Sequence, residues 1–138
     1  MKLTREDIEE LWNNWNSAWN SHDLDAVMAF FHDHVFFENW TGGYAKGKEN
    51  LRKSWRDWFE HHGDFMFFQE DMFFDEKNQK LLYQWLLTWP SRERGCEGKP
   101  EKRRGVDVIH FKDGEIIMKL TYSKTTIDIE GKRVYLNP

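Results

Sequence analysis

The period of the apolar residues changes once along this chain, at Gly63. Before that glycine they recur at helical spacing, broken by one short strand; beyond it they fall into β-rich stretches divided by turn residues. Ile8, Leu11, Trp12, Trp15, Ala18 and Trp19 share one helical face, with Thr4 as N-cap and Asp7 completing a variant capping box. Asp23 caps a second, short helix through Leu24, Val27, Met28 and Phe31, whose end is crowded by His32, Asp33 and His34. Residues 35–40 read as a strand stopped by Gly42 and Gly43. A third helix starts near Gly47, with Leu51, Trp55, Trp58 and Phe59 on its apolar face.

Long strands follow at 65–74, 79–89, 103–112 and 115–126. Tight turns at 75–78 and 113–114 make hairpins, 90–102 is a longer polar loop, and a small hairpin around Glu130 and Gly131 closes the chain. This order gives a single α+β domain over 1–138, with three helices packed in a strongly curved antiparallel sheet. The segment 81–87 is apolar on both faces and needs cover on both sides, which three helices cannot supply. A sheet curled around the third helix makes a cone whose open end is a pocket.

Rings are available to line it. Eight Trp, eleven Phe and four Tyr make 17% of the chain, while a mean hydropathy of -0.85 shows that aliphatic residues are not equally abundant. Large rings therefore build the core or line something hollow inside it. A net charge of -4 and a pI near 5.9 supply no positive field for a phosphate backbone, which argues against nucleic acid. The N-terminal residues lack the apolar region of a signal peptide, and no run approaches the roughly 18 apolar residues of a membrane span. The expectation is a cytoplasmic protein with no membrane partner. Cys96 is alone, which excludes an intrachain disulfide. His32 and His34 have no third ligand fixed by spacing and read as a surface turn, so neither metal nor cofactor is expected.

The segments WNSHDLDAV from Trp19, FENWTGG from Phe37, GKENL from Gly47 and GVDVIHFKDGEI from Gly105 resemble, in order and spacing, the SnoaL-like branch of the NTF2-like superfamily. The resemblance runs from about Leu11 to Thr126 and implies a cone of order α-α-β-α-β-β-β-β that pairs as a homodimer through its outer face. It implies activities from polyketide cyclases and ketosteroid isomerases to epoxide hydrolases, dehydratases and non-catalytic binders. Asp107 matches the acidic residue that many members carry in mid-strand as general acid or base. Asn39 stands where isomerase-like members have an aspartate base, and Trp15 where they have an oxyanion-hole tyrosine. Lys124 takes a position where many members have aspartate. The acidic constellation of the family is thus reduced to one carboxylate and gains a cation.

Two readings of Asp107 stand side by side: a proton shuttle in the pocket, or an ion pair with Lys124, Arg103 or another cation across the sheet. Lys124 either acts beside Asp107, as anchor or amine nucleophile, or reaches solvent. The residues expected to line the pocket are Trp15, Trp19, Asn39, Trp40, Trp55, Phe59, Trp85 and Tyr122. The expected ligand is a small hydrophobic or aromatic molecule, bound with cofactor-independent acid–base chemistry or, in the alternative, without turnover. Arg92, Arg94, Lys99, Lys102, Arg103 and Arg104 are expected to form a solvated rim around the long loop.

Overall fold

The computed structural model describes residues 1–136. Helix α1 (Arg5–Asn20) starts at the predicted capping box: the Thr4 hydroxyl accepts from Asp7 N–H at 3.1 Å and the Asp7 carboxylate accepts from Thr4 N–H at 2.8 Å. Its inner face buries Ile8, Trp12, Trp15, Ala18 and Trp19. Helix α2 (Leu24–Met28) is capped by Asp23 but stops short of Phe31. Strand β1 (Phe31–Glu38) begins there, so His32, Asp33 and His34 lie in a strand rather than a turn. Phe31 is fully buried against Trp15 and Trp55 and pairs with Ile116, and this tertiary pairing overrides the helical spacing.

After the short β2 (Tyr44–Lys46), α3 (Lys48–His61) packs against β1 and β2. Four long strands follow: β3 (Met66–Asp75), β4 (Lys80–Pro90), β5 (Pro100–Lys112) and β6 (Glu115–Ser123). β4 and β5 stay paired out to Pro90 and Pro100, so the polar connection is shorter than 90–102. The hairpin of β7 (Thr126–Ile129) and β8 (Lys132–Tyr135) turns at Glu130 and Gly131 and pairs with β5.

The sheet runs β2-β1-β6-β5-β4-β3 and is mixed, not purely antiparallel, because β1 lies parallel to β6. Hairpin turns in a sequence identify antiparallel neighbours; they carry no signal for a strand whose partner arrives after α3 and three further strands. Register shifts that leave Glu70 extra in β3 and Ile117 extra in β6 add local twist, which helps the sheet curl around the helices. Along β4 every second residue, from Leu81 through Tyr83, Trp85 and Leu87 to Trp89, points inward. Their partners on β5 are Ile109, Asp107, Gly105, Arg103 and Glu101. The curled sheet thus brings an acid, a glycine and an ion pair to its inner face. Among the described residues, no helix is long and apolar enough to cross a membrane.

Candidate functional site

A cavity of about 210 Å³ opens inside the curl. Trp15 and Trp19 of α1 and Trp55 and Trp58 of α3 form its helical wall, while Phe37, Phe67, Tyr83 and Trp85 form the sheet wall. Asn39, Trp40 and Tyr44 stand at the rim. The polar part is small. Asp107, Lys119 and Thr121 come from neighbouring positions of β5 and β6 and are all buried.

These groups form a closed circuit. Lys119 Nζ lies 3.3 Å from Asp107 Oδ2 and donates to Thr121 Oγ1 at 2.8 Å. The Thr121 hydroxyl donates onward to Asp107 Oδ1 at 2.8 Å, and the Trp85 indole N–H donates to the same oxygen at 3.2 Å. Nζ also stands 5.0 Å from the ring centroid of Phe37 and 5.6 Å from that of Trp55, within cation–π range. Burial pushes the Lys119 amine below the usual lysine range, and the Asp107 carboxylate opposes that shift. Burial also pushes the Tyr83 phenol up, so it stays protonated and donates to Asn16 Oδ1 on α1 at 2.5 Å.

The profile of the SnoaL-like domain matches residues 12–118. The chain belongs to the SnoaL-like family. Solved structures similar in fold include a SnoaL-like protein of unknown function from Burkholderia thailandensis E264, 20% identical, with 88% of this chain and 98% of that one covered at a TM-score of 0.70. A candidate polyketide cyclase from Xanthomonas campestris pv. campestris is 16% identical, with 87% and 92% covered at a TM-score of 0.71. A hypothetical protein with a ketosteroid isomerase-like fold from Catenulispora acidiphila, in complex with trimethylamine, is 11% identical, with 82% and 84% covered at a TM-score of 0.70. At such identities the likeness establishes the cone fold alone. A search of curated proteins gave no match.

Within this SnoaL-like cone, Asp107, Trp15, Trp19, Asn39, Trp40, Trp55 and Trp85 all line the cavity. Three other predicted residues lie elsewhere. Phe59 packs behind the wall, its ring centroid 5.1 Å from Trp19 and 5.4 Å from Phe65. Tyr122 is 51% exposed on the outer face, because Thr121 beside it points inward and strand neighbours alternate. Lys124 is exposed past the end of β6, beside Lys102, Arg104 and Arg133. The cation that meets Asp107 is therefore Lys119, two positions inside the strand from Thr121. Arg103 is not its partner either.

Arg103 belongs to a second buried cluster. Its Nε lies 3.2 Å from Glu101 Oε2, the Ser91 hydroxyl donates to Oε1 at 2.9 Å, and the Trp89 indole N–H donates to Glu101 as well. The guanidinium sits 5.1 Å from the Trp40 centroid and 5.4 Å from that of Trp89. Trp40 in turn lies 6.0 Å from Trp85, so this ion pair backs the rim of the SnoaL-like cavity from outside.

Proposed function

We propose that this SnoaL-like protein binds a small, neutral, aromatic or hydrophobic molecule in its cavity, and that the Lys119–Asp107 pair acts on the polar group of that molecule by proton transfer. The observation that supports this reading is a cavity walled by rings that meets one ionic pair and little other polarity. An apolar cavity of about 150 Å³ accepts a benzene ring, so a molecule of one or two rings suits 210 Å³.

Neutrality follows from the charges already present. The Catenulispora acidiphila neighbour binds trimethylamine, and aromatic walls attract such cations. Here the walls already hold a cation of their own, Lys119 over Phe37 and Trp55, balanced by Asp107. A second cation is repelled by the first, and an anion meets a carboxylate beside the ammonium. A neutral oxygen that accepts a hydrogen bond from Nζ fits both constraints. Proton transfer through Nζ, the Thr121 hydroxyl and Asp107 then uses only groups of this chain.

A second reading, binding without turnover, draws support from the engagement of Asp107: both of its oxygens already have donors in Trp85, Thr121 and Lys119. Native mass spectrometry of the purified protein, followed by turnover assays of Asp107→Asn on the captured molecule, separates the two. Loss of turnover with retained affinity supports acid–base chemistry, an unchanged rate removes Asp107 from the chemistry, and binding with no turnover by either protein supports the binder. Failure of neutral aromatic probes to bind at all defeats both.

The same proposal includes a homodimer. Phe73, Leu82, Val108 and Leu120 form one cross-strand row on the outer face, and Tyr122 and Phe68 are exposed nearby. A second copy of this surface would remove that row from water.

A further inference from the structure

We propose that Lys119 is a nucleophilic amine that condenses with the carbonyl carbon of an aromatic aldehyde or ketone held in the cavity. The inference rests on the binding reading above and adds the functional group of the ligand. Three features of the site carry it. Nζ reaches the cavity through a side chain that is 7% exposed, between the Phe37 and Trp55 rings and the Asp107–Thr121 pair. Asp107 Oδ2, 3.3 Å away, is placed to take the proton the amine must lose. Asp107 Oδ1 is held by Trp85 and Thr121, which fixes the carboxyl group while Oδ2 exchanges that proton. Burial among rings further favours the uncharged amine.

The step balances with no redox partner. With its proton on Asp107, Nζ attacks the carbonyl carbon; the C–N bond forms as the C=O π pair moves to oxygen. A proton passes from nitrogen to that oxygen through the Thr121 hydroxyl, giving a carbinolamine. Asp107 then protonates the hydroxyl, the C–O bond breaks and water leaves, and the nitrogen pair closes the C=N bond. The imine nitrogen's remaining proton returns to Asp107, so imine and one water are the products. The aryl group stays against the tryptophans, where its ring is out of water.

The exposed lysines offer no such site. Each pH unit below about 10.4 costs a surface lysine roughly tenfold of its free amine, whereas Lys119 keeps more of its own.

The test uses the full-length protein with benzaldehyde and cyanoborohydride, and peptide mapping of the reduced adduct. The expected result is one equivalent of benzyl adduct on Lys119, lost in Lys119→Arg. In the wild type at neutral pH, the ratio of Lys119 to surface-lysine labelling should exceed one at every surface lysine. That ratio needs no variant, so a misfolded Lys119→Arg leaves the test intact. Benzyl alcohol, which has no carbonyl, is titrated in parallel by tryptophan quenching. Quenching by the alcohol with adducts spread evenly over surface lysines overturns the nucleophile and keeps the binding reading. Neither quenching nor a Lys119 adduct overturns both.

Discussion

Gly105 and Trp85 face each other across β5 and β4 so closely that a Cβ on the glycine would meet Trp85 Cη2 at 2.5 Å and overlap the Tyr122 carbonyl oxygen. The backbone at Gly105 is not in the left-handed region, so the need for glycine is one of space. The indole fills that space, and its N–H thereby reaches Asp107. Gly105→Ala is expected to destabilise the fold by about 1–3 kcal/mol and to displace Trp85 from the carboxylate. Urea denaturation gives the first quantity. A red shift of tryptophan emission, with weaker quenching by benzyl alcohol, reports the second. An alanine variant with wild-type stability would show that the close approach does not matter.

Asp107 and Lys119 are 4% and 6% exposed, so removing one leaves the other stranded. Asp107→Ala is expected to cost about 3 kcal/mol, moderated to the extent that the lysine gives up its proton. Asp107→Leu combined with Lys119→Met should cost much less than the sum of the single changes, because neither charge remains. A double-mutant cycle in urea measures the difference; additive losses would mean that the pair is not coupled.

A bulge at Ile117 of β6, opposite His110 and Phe111, explains why Asp107 was legible in the sequence and Lys119 was not. Counting back from the turn at Asp113 and Gly114, Lys112 pairs with Glu115 and Phe111 with Ile116. Continued without interruption, that register sets Asp107 opposite Leu120 and turns Lys119 to the outer face. The bulge slips the pairing by one, so Asp107 meets Thr121 and both Lys119 and Thr121 point inward. Nothing in the residue type at Ile117, an ordinary strand former, announces the slip. The capping box at Thr4 and the hairpin turns, by contrast, are local and readable. The parallel β1–β6 contact depends on segments brought together only by the curl, and local patterns do not encode it. Glu101 and Arg103 are alternate residues on one face of β5, a pairing that emerges only because the strand extends to Pro100.

His62 closes α3 with its ring against both Trp58 and Trp89, 4.7 Å and 5.3 Å between centroids, in a three-ring cluster in which the two indoles are themselves 5.7 Å apart. Burial pushes its imidazole below the ordinary histidine value; the bond to the Trp58 carbonyl opposes this and Arg92 adds to it. The unfolded chain thus binds the proton more tightly than the folded one. Stability is constant above about pH 6.5 on account of this group and declines as pH falls through 6.5 toward the folded value. Proton NMR titration should place the His62 midpoint below 6.5, and His62→Asn should flatten the acid-side loss of stability. A midpoint at or above 6.5 would refute the assignment.

The outer face provides the last test. Phe73 is 61% exposed although it sits in register with Leu82, Val108 and Leu120, a row that solvent does not favour. If a second copy covers that row, sedimentation at micromolar concentration gives a species near twice 16.8 kDa. Val108→Asp places a carboxylate at the centre of the row, in a strand whose inward neighbours Asp107 and Ile109 keep their positions. The variant should sediment as a monomer and still bind benzyl alcohol within about twofold of wild type, since the cavity lies on the other side of the sheet. A wild-type protein that sediments at 16.8 kDa would leave the apolar row facing water and remove the homodimer from the account.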